Sequence, residues 1–165
     1  MNLIHLISFL AFPALTIVAA LYDATSYRIP NWISLAILAL FAIAATTSGV
    51  NLPTIGLCVA TGAAILVMGF GLFALRALGG GDAKLLAVSA LWFGWPQISV
   101  FLLCTVLAGA ILAVVLVVIR SDAVRPHLQN GPAWIARISS TGREMPYGIA
   151  IACGALGALP ASPLA

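Results

Sequence analysis

The chain has 165 residues, 63% of them hydrophobic and only 7% charged, with a mean hydropathy of +1.18. An ordinary soluble domain is about 25% charged, so this composition excludes a water-soluble globule and points to an integral membrane protein. A net charge of +3 from seven scattered cations makes no phosphate-tracking stripe, so no nucleic-acid partner is expected.

The apolar runs are continuous, where barrel strands would alternate apolar and polar residues, so the chain is read as all-α. The first run covers residues 3–21. No basic stretch precedes it as in a signal peptide, and it is expected to be a retained helix. Further runs follow at 32–46, 54–75, 83–95, 98–119 and 146–159, with a polar stretch at 121–145. The first, third and fifth have the roughly 20 residues needed to cross a bilayer. The expectation is one domain, 1–165, built as a bundle of six transmembrane segments. Trp32, Trp92, Trp95 and Trp134 fit an interfacial aromatic belt. Gly62, Gly69 and Gly71, with Ala63 and Ala64, let the third helix pack closely, and Gly154 and Gly157 do the same for the last. Such small-residue faces also permit a homo-oligomer.

The fourth run is short. Its thirteen residues make a helix of roughly 20 Å against a hydrocarbon core of about 30 Å. With Trp92 and Trp95 at one interface, its other end begins inside the membrane. Backbone such as Gly79-Gly80-Gly81 is tolerated there only beside protein or a wet cavity.

Arg28, Arg76, Lys84, Arg120, Arg125, Arg137 and Arg143 all fall on one side of a six-helix arrangement. The positive-inside rule makes that side cytoplasmic and both termini periplasmic. In the polar stretch, Trp134, Ile135 and Ile138 share a face, which reads equally as a short interfacial helix or as a loop over a pocket.

Asp23 and Asp82 carry the chemistry. They are two of only four acidic residues, and each lies at the cytoplasmic end of an apolar run. A carboxylate in or near hydrocarbon costs several kcal/mol by most estimates and usually has a function. Two carboxyls a few ångströms apart cannot both ionise, and a pair sharing one proton can activate water against a peptide carbonyl. The same residues also fit a proton or ion relay. Structurally, Asp82 fits a cap of the fourth helix and Asp23 fits a pair with Arg28.

Other polar residues carry less. Cys58, Cys104 and Cys153 have no ligand or CxxC spacing and read as small core residues. His5 and His127 have no second ligand type nearby, so no metal or other cofactor is expected. Lys84 reads as a snorkelling anchor, with substrate binding or tuning of the acids as its alternative. Asp122 and Glu144 read as solvated loop acids, and Glu144 could also meet a positive charge on a substrate.

Gly79-Gly80-Gly81-Asp82-Ala83-Lys84-Leu85-Leu86 resembles the GxGDxKLL signature of the type IV prepilin peptidases, GxGD-type aspartic proteases of the bacterial inner membrane. Asp23, followed by Arg28-Ile29-Pro30-Asn31, resembles the family's first catalytic aspartate and its downstream Pro-Asn element. Pro146-Tyr147-Gly148 resembles a late element of the same family. The resemblance implies a catalytic pair of Asp23 and Asp82. It adds Pro30, Asn31, Gly79, Gly81, Lys84, Pro146, Tyr147 and Gly148 as motif or substrate-binding residues. It implies cleavage of prepilins or pseudopilins, at the cytoplasmic face, between a short basic leader and an apolar helix. Pilus assembly machinery is then an expected partner. Larger relatives also methylate the new amino terminus and carry paired CxxC zinc sites. No such cysteines are present, so methylation is not expected. The compact length resembles the peptidases of Flp, tight-adherence pili. Two rival readings are a proton- or ion-coupled carrier and a non-catalytic subunit of a pilus or secretion apparatus.

Overall fold

The computed structural model describes residues 3–128, 131–139 and 145–164. Every regular element among them is helical: α1 Leu3–Ser26, α2 Asn31–Thr47, α3 Leu52–Ala74, α4 Gly80–Ala90, α5 Gly94–Ile119, α6 Arg125–Leu128, α7 Ala133–Ile138 and α8 Tyr147–Ala158, with a 3₁₀ turn at Leu159–Ala161. Three of these, α1, α3 and α5, are long and apolar enough to cross a membrane. α2 and the last helical stretch are apolar but shorter.

Local chemistry sets the helix ends. Pro30 precedes α2 in an extended conformation, as suits a residue with no N–H to offer and a fixed φ. Asn51 caps α3, its Oδ1 accepting from Thr54 N–H at 3.0 Å, with Pro53 in the first turn. α3 ends in a Schellman motif: Ala77 N–H reaches Leu72 O and Arg76 N–H reaches Phe73 O, each at 2.9 Å. Arg76 takes the left-handed position of that motif, at φ +57°. Tyr27 is also left-handed at the end of α1, at φ +53°, with its N–H on Asp23 O at 2.8 Å. Both positions ordinarily favour glycine, and a side chain there costs about 1–2 kcal/mol.

The packing order is α2 on α1, α1 on α8, α8 on α5, and α5 on α3. This makes a horseshoe whose two ends, α2 and α3, stand apart. Short α4 sits inside it, packed on α3, α2, α8 and α5. Its side chains are accordingly buried nearly all round, from Asp82 and Ala83 through Leu85, Leu86 and Ala87 to Ser89 and Ala90. Gly62 and Gly69 on α3 give α4 its close seat. A Cβ at Gly62 would lie inside the Leu91 side chain, and one at Gly69 would press on Ala83. Gly154 on α8 likewise lies against Thr105 of α5.

Eleven residues give α4 a length of only about 16 Å. An aromatic cluster fills the space beyond its C-terminus. Trp92 stacks on Phe12 at 4.4 Å between ring centroids, and Phe93 stacks on Phe101 at 4.9 Å. Phe41 meets Trp92 edge-on. Ser162 Oγ donates to Trp92 O at 2.6 Å, tying the last turn of the chain to this plug.

Several expectations need correction. α1 runs five residues past the predicted end at residue 21, because Thr25 and Ser26 turn their hydroxyls onto carbonyls one turn back and continue the helix. α4 starts earlier and ends sooner than the predicted 83–95. Trp92 is not part of an interfacial belt: it is fully buried, whereas Trp95 is 66% exposed. Gly71, Ala63 and Ala64 form no close helix seat: nothing approaches a Cβ at Gly71, and both alanines are exposed. The 121–145 stretch does contain the short helix α7, tied by Arg137 Nη1 to Thr25 O (2.8 Å) and by Ile138 O to Arg120 Nε (3.0 Å). Arg143 and Glu144 lie outside the described residues.

Candidate active site

Asp23 lies one turn before the end of α1 and Asp82 lies in the first turn of α4; both are buried. The start of α8 packs against Asp23. Gly148, in the first turn of α8, donates its backbone N–H to Asp23 Oδ2 at 2.7 Å. That approach needs a glycine: a Cβ at position 148 would lie 2.9 Å from Oδ2 and 3.0 Å from the Asp23 Cβ. Pro146, immediately before α8, is fully buried and fixes the chain entering that turn.

Asp82 is held from its own helix. Gly79 is the N-cap of α4, and the Asp82 carboxylate turns back toward it. This is the reach of an acid at the third helical position toward the cap residue. A Cβ on Gly79 would meet Asp82 Oδ2 at 2.7 Å. The other oxygen, Oδ1, is buried with no hydrogen-bond partner among the described residues. Such an orphaned acceptor is costly and marks a place for a polar atom of a ligand.

The glycine run lines a cavity and is also closely packed. Gly80 and Gly81 are helical, and their nearest neighbours belong to the protein. A Cβ at Gly81 would press on Ile29 at 3.2 Å, and one at Gly80 on the Phe73 ring at 3.3 Å. The run lets the α1–α2 connection and the end of α3 close around Asp82.

Both carboxylates line the same two cavities. One, of about 280 Å³, is walled by Tyr27, Arg28, Ile29, Asn31, the Gly79–Gly81 run and Lys84. The other, of about 600 Å³, is walled by Tyr27, Phe73, Arg76, Leu78, Met145 and Tyr147. Neither carboxylate is ion-paired among the described residues, so the expected alternative of an Asp23–Arg28 pair is not what holds Asp23. Lys84 is not a free anchor either. Its Nζ donates to Asn31 Oδ1 at 3.1 Å, joining the Pro30-Asn31 element to the glycine–aspartate element.

The structure thus brings together Asp23, Asp82, Asn31, Gly79, Gly81, Lys84, Tyr147 and Gly148 from four helices. Pro30 sets the start of α2 and lines neither cavity. Sequence reasoning missed Tyr27 and Arg76, which reach the site from left-handed backbone positions. Tyr27 had one legible signal, its place a turn after Asp23. Arg76 had none, because nothing in its neighbours announces a Schellman turn without glycine. No group of three or more potential metal ligands occurs among the described residues.

The sequence pattern of the type IV leader peptidase family matches residues 10–114, which includes both aspartates and ends before Tyr147 and Gly148. No curated protein and no solved structure matches the chain. Matched along most of its length, and built around long apolar helices, the chain belongs to the type IV leader peptidase family and is a membrane protease of the aspartic type.

Proposed function

We propose that Asp23 and Asp82 are the catalytic pair of a peptidase that removes the leader of Flp-type prepilins and pseudopilins at the cytoplasmic face of the inner membrane. One observation carries this reading: two buried carboxylates from distant parts of the chain line the same cavities, Asp23 held by a backbone amide and neither of them paired with a cation among the described residues. A carboxylate neutralised by an arginine is a structural ion pair. One fixed by an amide on one oxygen keeps the other for chemistry.

In the proposed mechanism the pair shares one proton. The ionised member takes a proton from water, and the water oxygen bonds to the scissile carbonyl carbon. The neutral member polarises the carbonyl oxygen, and as the C–N bond breaks the departing amine takes the proton that the first carboxyl drew from water. Gly148 orients the Asp23 carboxyl, and Gly79 leaves room for that of Asp82. No metal or organic cofactor has a part. The chain is one domain of six membrane segments, the shortest being α4, with both termini periplasmic and the site cytoplasmic, as the distribution of cations supports.

A relay through the membrane would string its acids across the bilayer, and here both buried acids meet at one end of the bundle. The test is co-expression with a candidate Flp-type prepilin. Asp23→Asn and Asp82→Asn should each abolish the leader-dependent gel shift, a loss of at least about 1,000-fold, with normal amounts of protein in the membrane. Normal processing by either variant refutes the pair and favours a non-catalytic subunit.

A further inference from the structure

The helix horseshoe has one break, between α2 and α3, and α4 floors it. Along the break runs an open groove of about 520 Å³. Its walls are Leu35 and Leu38 of α2 and Val59 and Leu66 of α3, and its floor includes Val88 of α4 and Leu91 just after it. Lys84 and Val88 stand at i and i+4 on the least covered face of α4, Lys84 exposed and Val88 half-buried, and buried Leu91 closes the groove one turn further on. The groove ends at Asn31 and Lys84, and these two residues also line the smaller of the cavities that hold Asp23 and Asp82.

We propose that this groove seats the apolar membrane helix of the substrate, so that the chain on the mature side of the cut enters through the Asn31–Lys84 gate and the leader leaves by the cavity of Phe73 and Tyr147. The proposal rests on the leader-peptidase reading and adds the path and direction of the substrate. Backbone in hydrocarbon must satisfy its own hydrogen bonds, so a membrane-anchored substrate reaches the site as a helix. A helix cannot be cut: the scissile bond has to be drawn out where polar partners replace its internal hydrogen bonds. The groove supplies the first condition, apolar walls over about 10 Å of α2 between Asn31 and Leu38. The cavity beyond the gate supplies the second, with backbone groups of the glycine run, Asn31 and the unpartnered Asp82 Oδ1. The change from apolar to polar surface falls at the Lys84–Asn31 hydrogen bond, where a substrate helix would end. No other pair of neighbouring helices in the horseshoe is parted, so the closed sides offer no equivalent entry.

The test uses the full chain in proteoliposomes and a synthetic substrate of a basic leader, one glycine and roughly 20 apolar residues. A photo-crosslinker replaces Val59 in the groove or, as a control, Val114 on the outer face of α5, both exposed. Val59 should capture the apolar helix at least about tenfold more than Val114, and Ala63→Phe, which narrows the groove, should raise KM about tenfold. Equal capture from both positions means that lipid fills the groove and overturns the proposal, while cleavage of the substrate leaves the leader-peptidase reading intact. Failure of the native chain to cut the substrate overturns that reading, and this inference with it.

Discussion

Gly148 N–H donates to Asp23 Oδ2 at 2.7 Å, across 125 residues of sequence. The contact explains why a glycine stands in the first turn of α8: a side chain there would occupy the space of the carboxylate it serves. It also makes the packing of α8 on α1 a condition for the geometry of the site.

Gly148→Ala should therefore damage catalysis more than folding. The added methyl would displace the Asp23 carboxyl, since contacts of 2.9–3.2 Å to Asp23 atoms must open. Overpacking of this kind costs about 1–3 kcal/mol of stability. Misplacing the carboxyl lowers kcat roughly 10- to 100-fold. Thermal denaturation in detergent beside a cleavage assay separates the two effects, and full activity would show that the contact is dispensable.

Lys84 and Asn31 should behave as one unit. Both are exposed and meet through a single hydrogen bond, so Lys84→Met should change stability by no more than about 0.5 kcal/mol. The effect belongs in kcat/KM. If the bond is what joins the two motifs, Lys84→Met with Asn31→Ala will be no worse than the poorer single variant. Strict additivity would mean that each residue acts alone.

The four tryptophans should no longer fall into one class. Trp92→Ala removes a fully buried ring stacked on Phe12 and should cost about 3–5 kcal/mol. Trp95→Ala, at an exposed position, should stay within about 0.5 kcal/mol. Melting temperatures of the two variants in the same micelle decide the matter, and similar values would argue against the aromatic plug.

Orientation is open to labelling. With a cytoplasmic site, Asp122→Cys should react with a membrane-impermeant maleimide only after the inner membrane is opened. Leu52→Cys, exposed at the other end of α3, should react from outside. The reverse pattern would invert the protein and place the acids on the periplasmic side.

Much of the helix layout was legible because hydrocarbon is an undiscriminating solvent. Long apolar runs in it must be helical, and α2, α3, α5 and α8 lie within a few residues of their predicted limits. Asp23 and Asp82 stood out for the same reason, since an acid beside an apolar run is expensive. The boundaries failed where polar residues continue a helix: hydropathy ends at Leu21, but side-chain hydroxyls satisfy carbonyls through Ser26.

Composition and spacing by themselves determined that the chain is helical, apolar and marked by two acids near one end of its segments, because burial cost and backbone hydrogen bonding depend on residue type alone. Only tertiary structure decided what those acids touch. The amide on Asp23, the Lys84–Asn31 bond, the burial of Trp92 and the gap between α2 and α3 all arise where segments remote in sequence meet. Such contacts depend on how helices cross and on which small residue lets them close, and hydropathy carries no record of either.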